Sequence, residues 1–438
     1  MPRDAADLMP EVRAHLEALV KIPSVSADPG RAEDVRASAN YLRDLYASAG
    51  MDSRLLEIDG AHPAVLASVP APEGAPTVLL YAHHDVQPPG PLEEWESDPF
   101  EPTERNGRLY GRGTVDDKWG AIAHWATISA YDSKPPVGVR ILVEGEEETG
   151  SENLPRFLEA YADELRADAC VLADSGNWAL GTPSLTTSLR GLVDAVVEVR
   201  TLDHALHSGV YGGAIPDALT VLCRLLATLH DESGNPTVGD RVIGKPSPVD
   251  MDEQRLRAEA GVLEGVQMIG SGSLTERMWT RPAVSIIGID APSVADAINQ
   301  LVPVARAKVS MRIAPGDDAT RALDELVKHL EAHTPWGAKV SVKRGAAGGS
   351  FTVDTTTPAA KAMHDAMRAA WGTDPVDIGM GGSIPFVAAF AETFPDASLL
   401  LTGCVDPQAR LHSTNESIDL AELERALTAQ IGFLERMA

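Results

Sequence analysis

Cysteine is scarce in this sequence: three among 438 residues (Cys170, Cys223 and Cys404), far apart and odd in number. That excludes a disulfide framework and a CxxC-type metal knuckle, and it points to a reducing compartment. Basic residues are also in short supply. The 37 Lys and Arg face 64 Asp and Glu, a formal net charge of −27. Such a surface argues against binding nucleic acid or an anionic membrane. No window approaches the roughly 20 apolar residues of a membrane span. The opening stretch, MPRDAADLMPEVRAHLEALV, places acids and prolines where a signal peptide needs an apolar run. The expectation is a cytoplasmic protein without nucleic-acid or membrane partners. What remains, 44% hydrophobic and 23% charged, is an ordinary globular composition with material for two or three domains of about 150 residues each.

Helices and strands alternate along the chain. Residues 9–20 and 31–50 carry helical apolar spacing, and Gly50 is placed to end the second helix. TVLLYA (77–82) and VGVRILV (137–143) are short, nearly continuous apolar runs, the pattern of strands buried on both faces. A helix is expected between them over 119–130, and a further apolar run at 171–173 ends at Asp174. This is an α/β layer architecture. From about residue 186 the rhythm changes. A strand (192–199), a helix (217–230), a long Gly-, Pro- and acid-rich excursion to 282, two strands (284–289, 307–313), a helix (318–332) and a strand (339–343) follow. Their order, β-α-β-β-α-β, is that of a ferredoxin-like unit with an excursion after its first helix. GAAGGS (345–350) reads as a linker, after which helices at 358–371 and 420–437 resume the first rhythm. The predicted organisation is a discontinuous domain, 1–185 plus 350–438, interrupted by a smaller one over 186–349.

Chemistry-bearing side chains gather at the ends of predicted elements of the larger domain, where open α/β sheets place their ligands. In YAHHDVQP (81–88), extended backbone puts His83 and Asp85 on one side and His84 on the other. A carboxylate beside an imidazole is a common support for a metal-ligating histidine. LYGRGTVDDK (109–118) supplies Asp116 and Asp117, GEEETG (145–150) supplies Glu147 and Glu148, VLAD ends at Asp174, and RLHSTNE (410–416) supplies His412. Taken one at a time, each has a plain structural reading as loop histidines, a helix cap or a solvated charge run. Together they offer two histidines and several carboxylates, a donor set for one or two borderline ions such as Zn²⁺, with Mn²⁺ or Co²⁺ as alternatives.

These motifs, in this order, resemble the dizinc metallopeptidase family of carnosine dipeptidases, acetylornithine deacetylase, succinyl-diaminopimelate desuccinylase and carboxypeptidase G. YAHHDVQPPGPLEEWESDPFEP followed by GRLYGRGTVDDK is most similar to the dipeptidase branch. The resemblance implies a zinc-exopeptidase-like catalytic domain, a mixed sheet flanked by helices, with an inserted ferredoxin-like lid and dimerisation domain. It implies two metal ions, one held by His83 and Asp174, the other by Glu148 and His412, with Asp116 bridging. Asp85 would orient His83, Glu147 would be the general acid/base, and the Asp116–Asp117 peptide would be cis. In the second domain, LHSGVYGG (206–213) matches a lid motif whose histidine, here His207, reaches into the other subunit's site to polarise the scissile carbonyl. Arg312 matches an arginine that grips the substrate carboxylate, and MGGSIP (380–385) matches a loop whose Gly382 and Ser383 hold the same end.

The implied activity is metal-assisted hydrolysis of dipeptides or short peptides with a free carboxylate, by a homodimer joined through the lid domain. An N-acyl amino acid deacylase with the same chemistry is the alternative, and a binding protein that has lost catalysis is a third. One departure stands out: the family's DDKG reads Asp116-Asp-Lys-Trp-Gly120 here, so Trp119 adds bulk that either alters helix packing or narrows the cleft.

Overall fold

The structure, a computed structural model, describes residues 2–240, 242–382 and 385–438; Ser383 therefore lies outside the described residues. The chain divides into two compact units. One comprises Met1–Thr187, Val353–Ile378 and Pro385–Ala438, the other Ser188–Thr352 and Gly379–Ile384. The segment Gly379–Ile384, read from sequence as part of the last α/β stretch, groups with the second unit.

The first unit opens with α1 (Ala5–Val20), capped by Asp4, whose carboxylate accepts from the Ala6 amide at 3.1 Å. Leu8, Val12, Leu16 and Leu19 repeat at helical spacing and are fully buried. Helix α2 (Ala32–Ser48) buries Val35, Ala39, Leu42 and Tyr46, and Gly50 just beyond it takes the left-handed conformation, φ +79°. Strands β1 (Asp52–Leu56) and β2 (Ala64–Val69) pair antiparallel. β3 (Thr77–His83), α3 (Lys118–Ala130), β4 (Gly138–Glu144) and β5 (Ala169–Gly176) follow, with β3 running parallel to both β4 and β5. The apolar runs of β3 and β4 are continuous because a parallel sheet is covered on both faces. Helix α3 is buried at every residue except Ser129, so it lies in the interior and needs no polar stripe.

The second unit contains β6 (Gly191–Arg200), α4 (Ala218–Ala227), β7 (Ala283–Asp290), β8 (Val304–Ile313), α5 (Ala319–Ala332) and β9 (Lys339–Gly348). The sheet order is β7-β8-β6-β9, antiparallel throughout, the ferredoxin-like arrangement that the element order predicts. Val193, Ala195, Val197 and Val199 alternate into a core completed by Leu222 and Leu225 of α4 and Leu326 of α5. Asp217 and Asp318 cap the two helices through the Thr220 and Arg321 amides at 2.9 and 2.7 Å. The linker expected at 345–350 is a correction: β9 continues to Gly348, with a register irregularity between Arg344 and Ala347. Gly345 passes so close to β6 that a Cβ there would lie 1.8 Å from Asp194 Oδ1. The small residues accommodate this irregularity rather than mark a linker. The excursion between α4 and β7 holds a helix at Glu253–Glu259 and a single π-helical turn at Glu276–Thr280. β7 is an edge strand, and Ile286, Ile287 and Ile289 on it are exposed.

The chain then returns to the first unit with α6 (Pro358–Trp371), β10 (Ser398–Val405) and α7 (Leu420–Met437). β10 lies parallel beside β5, giving the order β1-β2-β4-β3-β5-β10 in a mixed sheet flanked by helices. On one face α1, α3, α6 and α7 pack on one another; on the other, Tyr81 meets Phe386 and Phe390 at centroid distances of 4.6 and 5.1 Å. Trp119 is only 3% exposed and belongs to the main core, sharing a small cavity with Met363, Met367 and Trp371 of α6. It therefore alters helix packing and does not narrow a cleft. Gly120 cannot be enlarged, because a Cβ would lie 2.6 Å from Asp117 Oδ1 and 3.0 Å from Ala173 Cβ. Truncation of Trp119 to alanine is expected to cost about 3–5 kcal/mol, read as a fall in Tm on the order of 10 °C. A fall below about 2 °C would mean that the indole does not fill the core.

Candidate metal centre

His83 is the last residue of β3, Asp174 lies near the end of β5, Glu147 and Glu148 form a 3₁₀ turn just after β4, and His412 lies in the loop after β10. These are parallel strands, so their carboxyl ends bring the loops to one edge of the sheet. Asp116 arrives from the turn before α3, and the Asp116–Asp117 peptide is cis, as the resemblance implies. Ligand-type atoms of His83, Asp116 and Asp174 lie within 4.8 Å of one another, and so do those of Asp116, Glu148 and His412. Asp116 is common to both groups. Its Oδ1 is 3.0 Å from His83 Nε2 and its Oδ2 is 2.9 Å from His412 Nε2, which is also 3.3 Å from Glu148 Oε2.

The imidazole of His83 is oriented from behind. Its Nδ1 donates to the Asp85 carbonyl at 3.0 Å, which turns Nε2 toward Asp116. The Asp85 carboxylate is 3.4 Å from the same nitrogen, but its shorter contacts lie elsewhere. It accepts from the Glu147 and Glu148 amides at 3.2 and 3.1 Å and from the Ser26 hydroxyl at 2.5 Å. Asp85 thus positions the diglutamate turn as well as the histidine. Glu148 is fixed by Gln87, whose amide and side chain donate to its two oxygens at 3.0 and 2.8 Å. His84 points away, as the alternation predicts, and its Nε2 meets the Pro63 carbonyl at 3.0 Å.

The charge balance of this edge fits bound cations. Burial, reinforced by neighbouring carboxylates, pushes Asp174 up to about 7 and Glu147 up to about 9, and raises Glu148 as well. Hydrogen bonds to Asp116 and Glu148 push His412 up to about 10. Burial opposes a charge on His83, yet Asp116 and Asp85 raise it well above the ordinary imidazole range. Asp116 is held well below the carboxylate range by the same two histidines, against the effect of burial. Buried carboxylates that retain protons, beside imidazoles that gain them, indicate a site short of positive charge. Divalent ions held by His83, Asp116, Asp174, Glu148 and His412 would supply it.

Several supporting residues carry no sequence signal of their own. Glu416 is fully buried; its Oε2 accepts from Arg112 Nη1 at 2.6 Å and its Oε1 from the Gly113 and Val115 amides at 3.0 and 3.1 Å. It thereby shapes the turn that delivers Asp116. Lys118, also fully buried, donates to the carbonyls of Leu19 and Ile22 at 3.0 and 2.7 Å and ties the same turn to the end of α1. Arg410, His412 and Asn415 all take left-handed backbone, φ +56°, +56° and +62°, at some conformational cost. The other expected residues belong to the second unit. His207, exposed, pairs with Gln300, and its Nδ1 accepts from the Gly209 amide at 3.1 Å; Arg312 is half-buried on β8 opposite Ala283 and Leu192. Gly382 is half-buried, with open space where a Cβ would stand.

Residues 79–436 match the profile of Peptidase family M20/M25/M40. The chain belongs to this family. As an M20 peptidase it is similar along nearly its whole length to a cysteinylglycine-S-conjugate dipeptidase of Corynebacterium striatum. The two are 34% identical over 427 residues, covering 96% of this chain and 94% of that protein. It is 29% identical over 381 residues to the human Beta-Ala-His dipeptidase, covering 82% of this chain and 74% of that one. The crystal structure of human carnosine dipeptidase 1 has the same fold, with a TM-score of 0.79 at 25% identity over 99% of this chain and 97% of that chain. Among the described residues of this M20 peptidase, no helix is long and apolar enough to cross a membrane.

The support for Asp116 can be tested without reference to a substrate. Replacing Glu416 by alanine leaves Arg112 buried without its carboxylate and is expected to cost about 3–5 kcal/mol. Metal content after dialysis, measured by mass spectrometry, should fall with it. A variant that keeps full stability and full metal content would remove Glu416 from this role.

Proposed function

We propose that this M20 peptidase is a dinuclear metallodipeptidase that hydrolyses the peptide bond of dipeptides or short peptides bearing a free carboxylate. The observation that carries the reading is the Asp116 carboxylate, whose oxygens face His83 and His412 at 3.0 and 2.9 Å. His83 and Asp174 would hold one ion, Glu148 and His412 the other, and Asp116 both. Zn²⁺ suits this oxygen- and nitrogen-donor set, with Mn²⁺ or Co²⁺ as alternatives, and such a pair lowers the pKa of water and polarises a carbonyl.

The chain's own residues do the rest. Glu147, whose backbone is held by Asp85, takes the proton of the attacking water and returns it to the leaving amine. His207 accepts the Gly209 amide on Nδ1, so the neutral ring carries its proton on Nε2 and presents a donor suited to a developing oxyanion. Arg312, with the loop at Gly382 and Ser383, grips the substrate carboxylate through its forked guanidinium. A grip on the free carboxylate confines the enzyme to short substrates.

His207 acts in the other subunit of a homodimer. The long edge strand β7, with Ile286, Ile287 and Ile289 exposed, supports an interface on the second unit, since an apolar edge of this kind is otherwise prone to pair indiscriminately. The three cysteines, all free, suit the cytoplasm.

Metal-stripped enzyme re-supplied with Zn²⁺, Mn²⁺ or Co²⁺ should cleave a dipeptide panel and leave N-acetyl and N-succinyl amino acids largely intact. Cleavage of the N-acyl compounds alone would make it a deacylase, and inertness toward both would exclude hydrolysis of either class. Glu147→Gln should retain its metals and lose about 10²–10⁴-fold in kcat; near-normal turnover would remove Glu147 from proton transfer. Glu147→Gln and His207→Ala subunits, each inactive alone, should recover roughly a quarter of wild-type activity when co-expressed, because half the sites of a mixed dimer are then intact. Without recovery, His207 acts within its own subunit or not at all.

A further inference from the structure

The excursion between α4 and β7 has no part in the chemistry described so far, yet one buried arginine ties it to the glycine loop. Arg190 is 9% exposed. Its Nε donates to the Gly381 carbonyl at 3.2 Å, and its Nη1 to the carbonyls of Arg277 and Arg281 at 3.3 and 3.2 Å. Its own amide donates to the Met380 carbonyl at 3.2 Å. One side chain therefore joins residues 380–381, where the strand Val376–Met380 gives way to the glycine loop, to both ends of the π-helical turn Glu276–Thr280. These hydrogen-bond partners are backbone carbonyls rather than carboxylates, so no anion offsets the charge through them. Burial, with Arg312 nearby as a second cation, pulls Arg190 down to about 10.

Gly379 in that strand and Gly381 just beyond it are packed against that turn as tightly as glycine permits. A Cβ on Gly379 would lie 2.6 Å from Trp279 Cβ and 2.8 Å from Ser188 Oγ. A Cβ on Gly381 would lie 2.7 Å from Arg190 Nη2 and 3.0 Å from the Met278 carbonyl oxygen. Trp279 itself is 9% exposed, so the turn presents a firm surface. A planar guanidinium bonded to three carbonyls is a rigid strut, because its donors cannot rotate independently. Two cations close together beside a loop of small residues also favour an arriving anion.

We infer that Arg190 is a positioning residue for substrate: it clamps the glycine loop at 379–382 to the turn 276–281 and so sets where the substrate's carboxylate end is held. The inference rests on the dipeptidase reading for the identity of what the loop holds; the clamp itself rests on the contacts alone. The excursion thereby serves as the backing of the carboxylate subsite. Arg190 touches no reacting atom, so its loss acts through the loop.

The test uses the full-length, metal-loaded enzyme with Arg190→Met, Arg190→Lys and Gly379→Ala, assayed on one dipeptide and on the amide of the same dipeptide. Arg190→Met should raise KM for the dipeptide by about tenfold to a hundredfold, as displacement of a positioning contact does, with kcat within about threefold. KM for the amide, which lacks the carboxylate, should stay within about twofold. Arg190→Lys should fall between. Gly379→Ala keeps the arginine and displaces the loop, and should reproduce the dipeptide defect. Hydrogen exchange of the peptide covering 379–382 should accelerate in Arg190→Met while the rest of the second unit keeps its protection. Unchanged exchange in that segment, or equal losses on dipeptide and amide, would overturn the inference. If wild-type enzyme cleaves no dipeptide yet exchange at 379–382 still accelerates in Arg190→Met, the clamp stands and the dipeptidase reading falls.

Discussion

Asp116, Glu147, Glu148 and Asp174 are crowded at one end of a buried sheet, where mutual repulsion and loss of hydration both act against their ionisation. Such a cluster persists in a folded chain only if cations or protons balance it. The rest of the site follows from that requirement. His83 and His412 each place a ring nitrogen on Asp116, and the surrounding chain is arranged to keep the carboxylates from separating. Asp85 binds two successive amides of the diglutamate turn, Gln87 holds both oxygens of Glu148, and Glu416 draws in the amides on either side of Thr114. None of these supporting groups is free to relax outward, which is how a site can stay organised around a charge it does not itself possess.

The fold was legible in sequence wherever periodicity was strong. Helices α6 and α7 begin and end where their apolar spacing places them, and the continuous runs of β3 and β4 mark buried parallel strands. Legibility failed where composition and geometry diverge. GAAGGS has the composition of a linker, but four of its residues extend a strand, with Gly345 placed where the neighbouring strand approaches too closely for a side chain. Trp119 occupies a position where a cleft residue was conceivable, yet α3 is buried on every side, so the indole had only the core to enter.

Within the site, the spacing of His83 and Asp85 and the placement of acids after apolar strands offered a donor set, and the family resemblance singled out the ligands within it. What could not be read was which partner serves which. Asp85 appears in sequence as the support of one histidine, whereas its carboxylate spends its shortest contacts on Ser26 and the next loop. Glu416 and Lys118 are ordinary charged residues in the sequence; their importance lies in being buried some distance along the chain from the groups they hold. Long-range pairing of this kind leaves no local periodicity to detect.

The discontinuity of the first unit has a consequence for biosynthesis. β3, α3, β4 and β5 emerge early from the ribosome and carry His83, Asp116, Glu148 and Asp174 with them, whereas Glu416 and His412 follow only after the entire second unit has been made. Until then the nascent chain carries the carboxylate cluster without its last imidazole and without the buried carboxylate that shapes the Asp116 turn. The second unit has a core of its own and can fold during that interval. The early half must instead wait, exposed sheet edge and all, for β10 and α7 to arrive. Its vulnerable period is therefore set by the length of the insertion, so that lengthening the excursion would prolong the exposure without touching a single ligand.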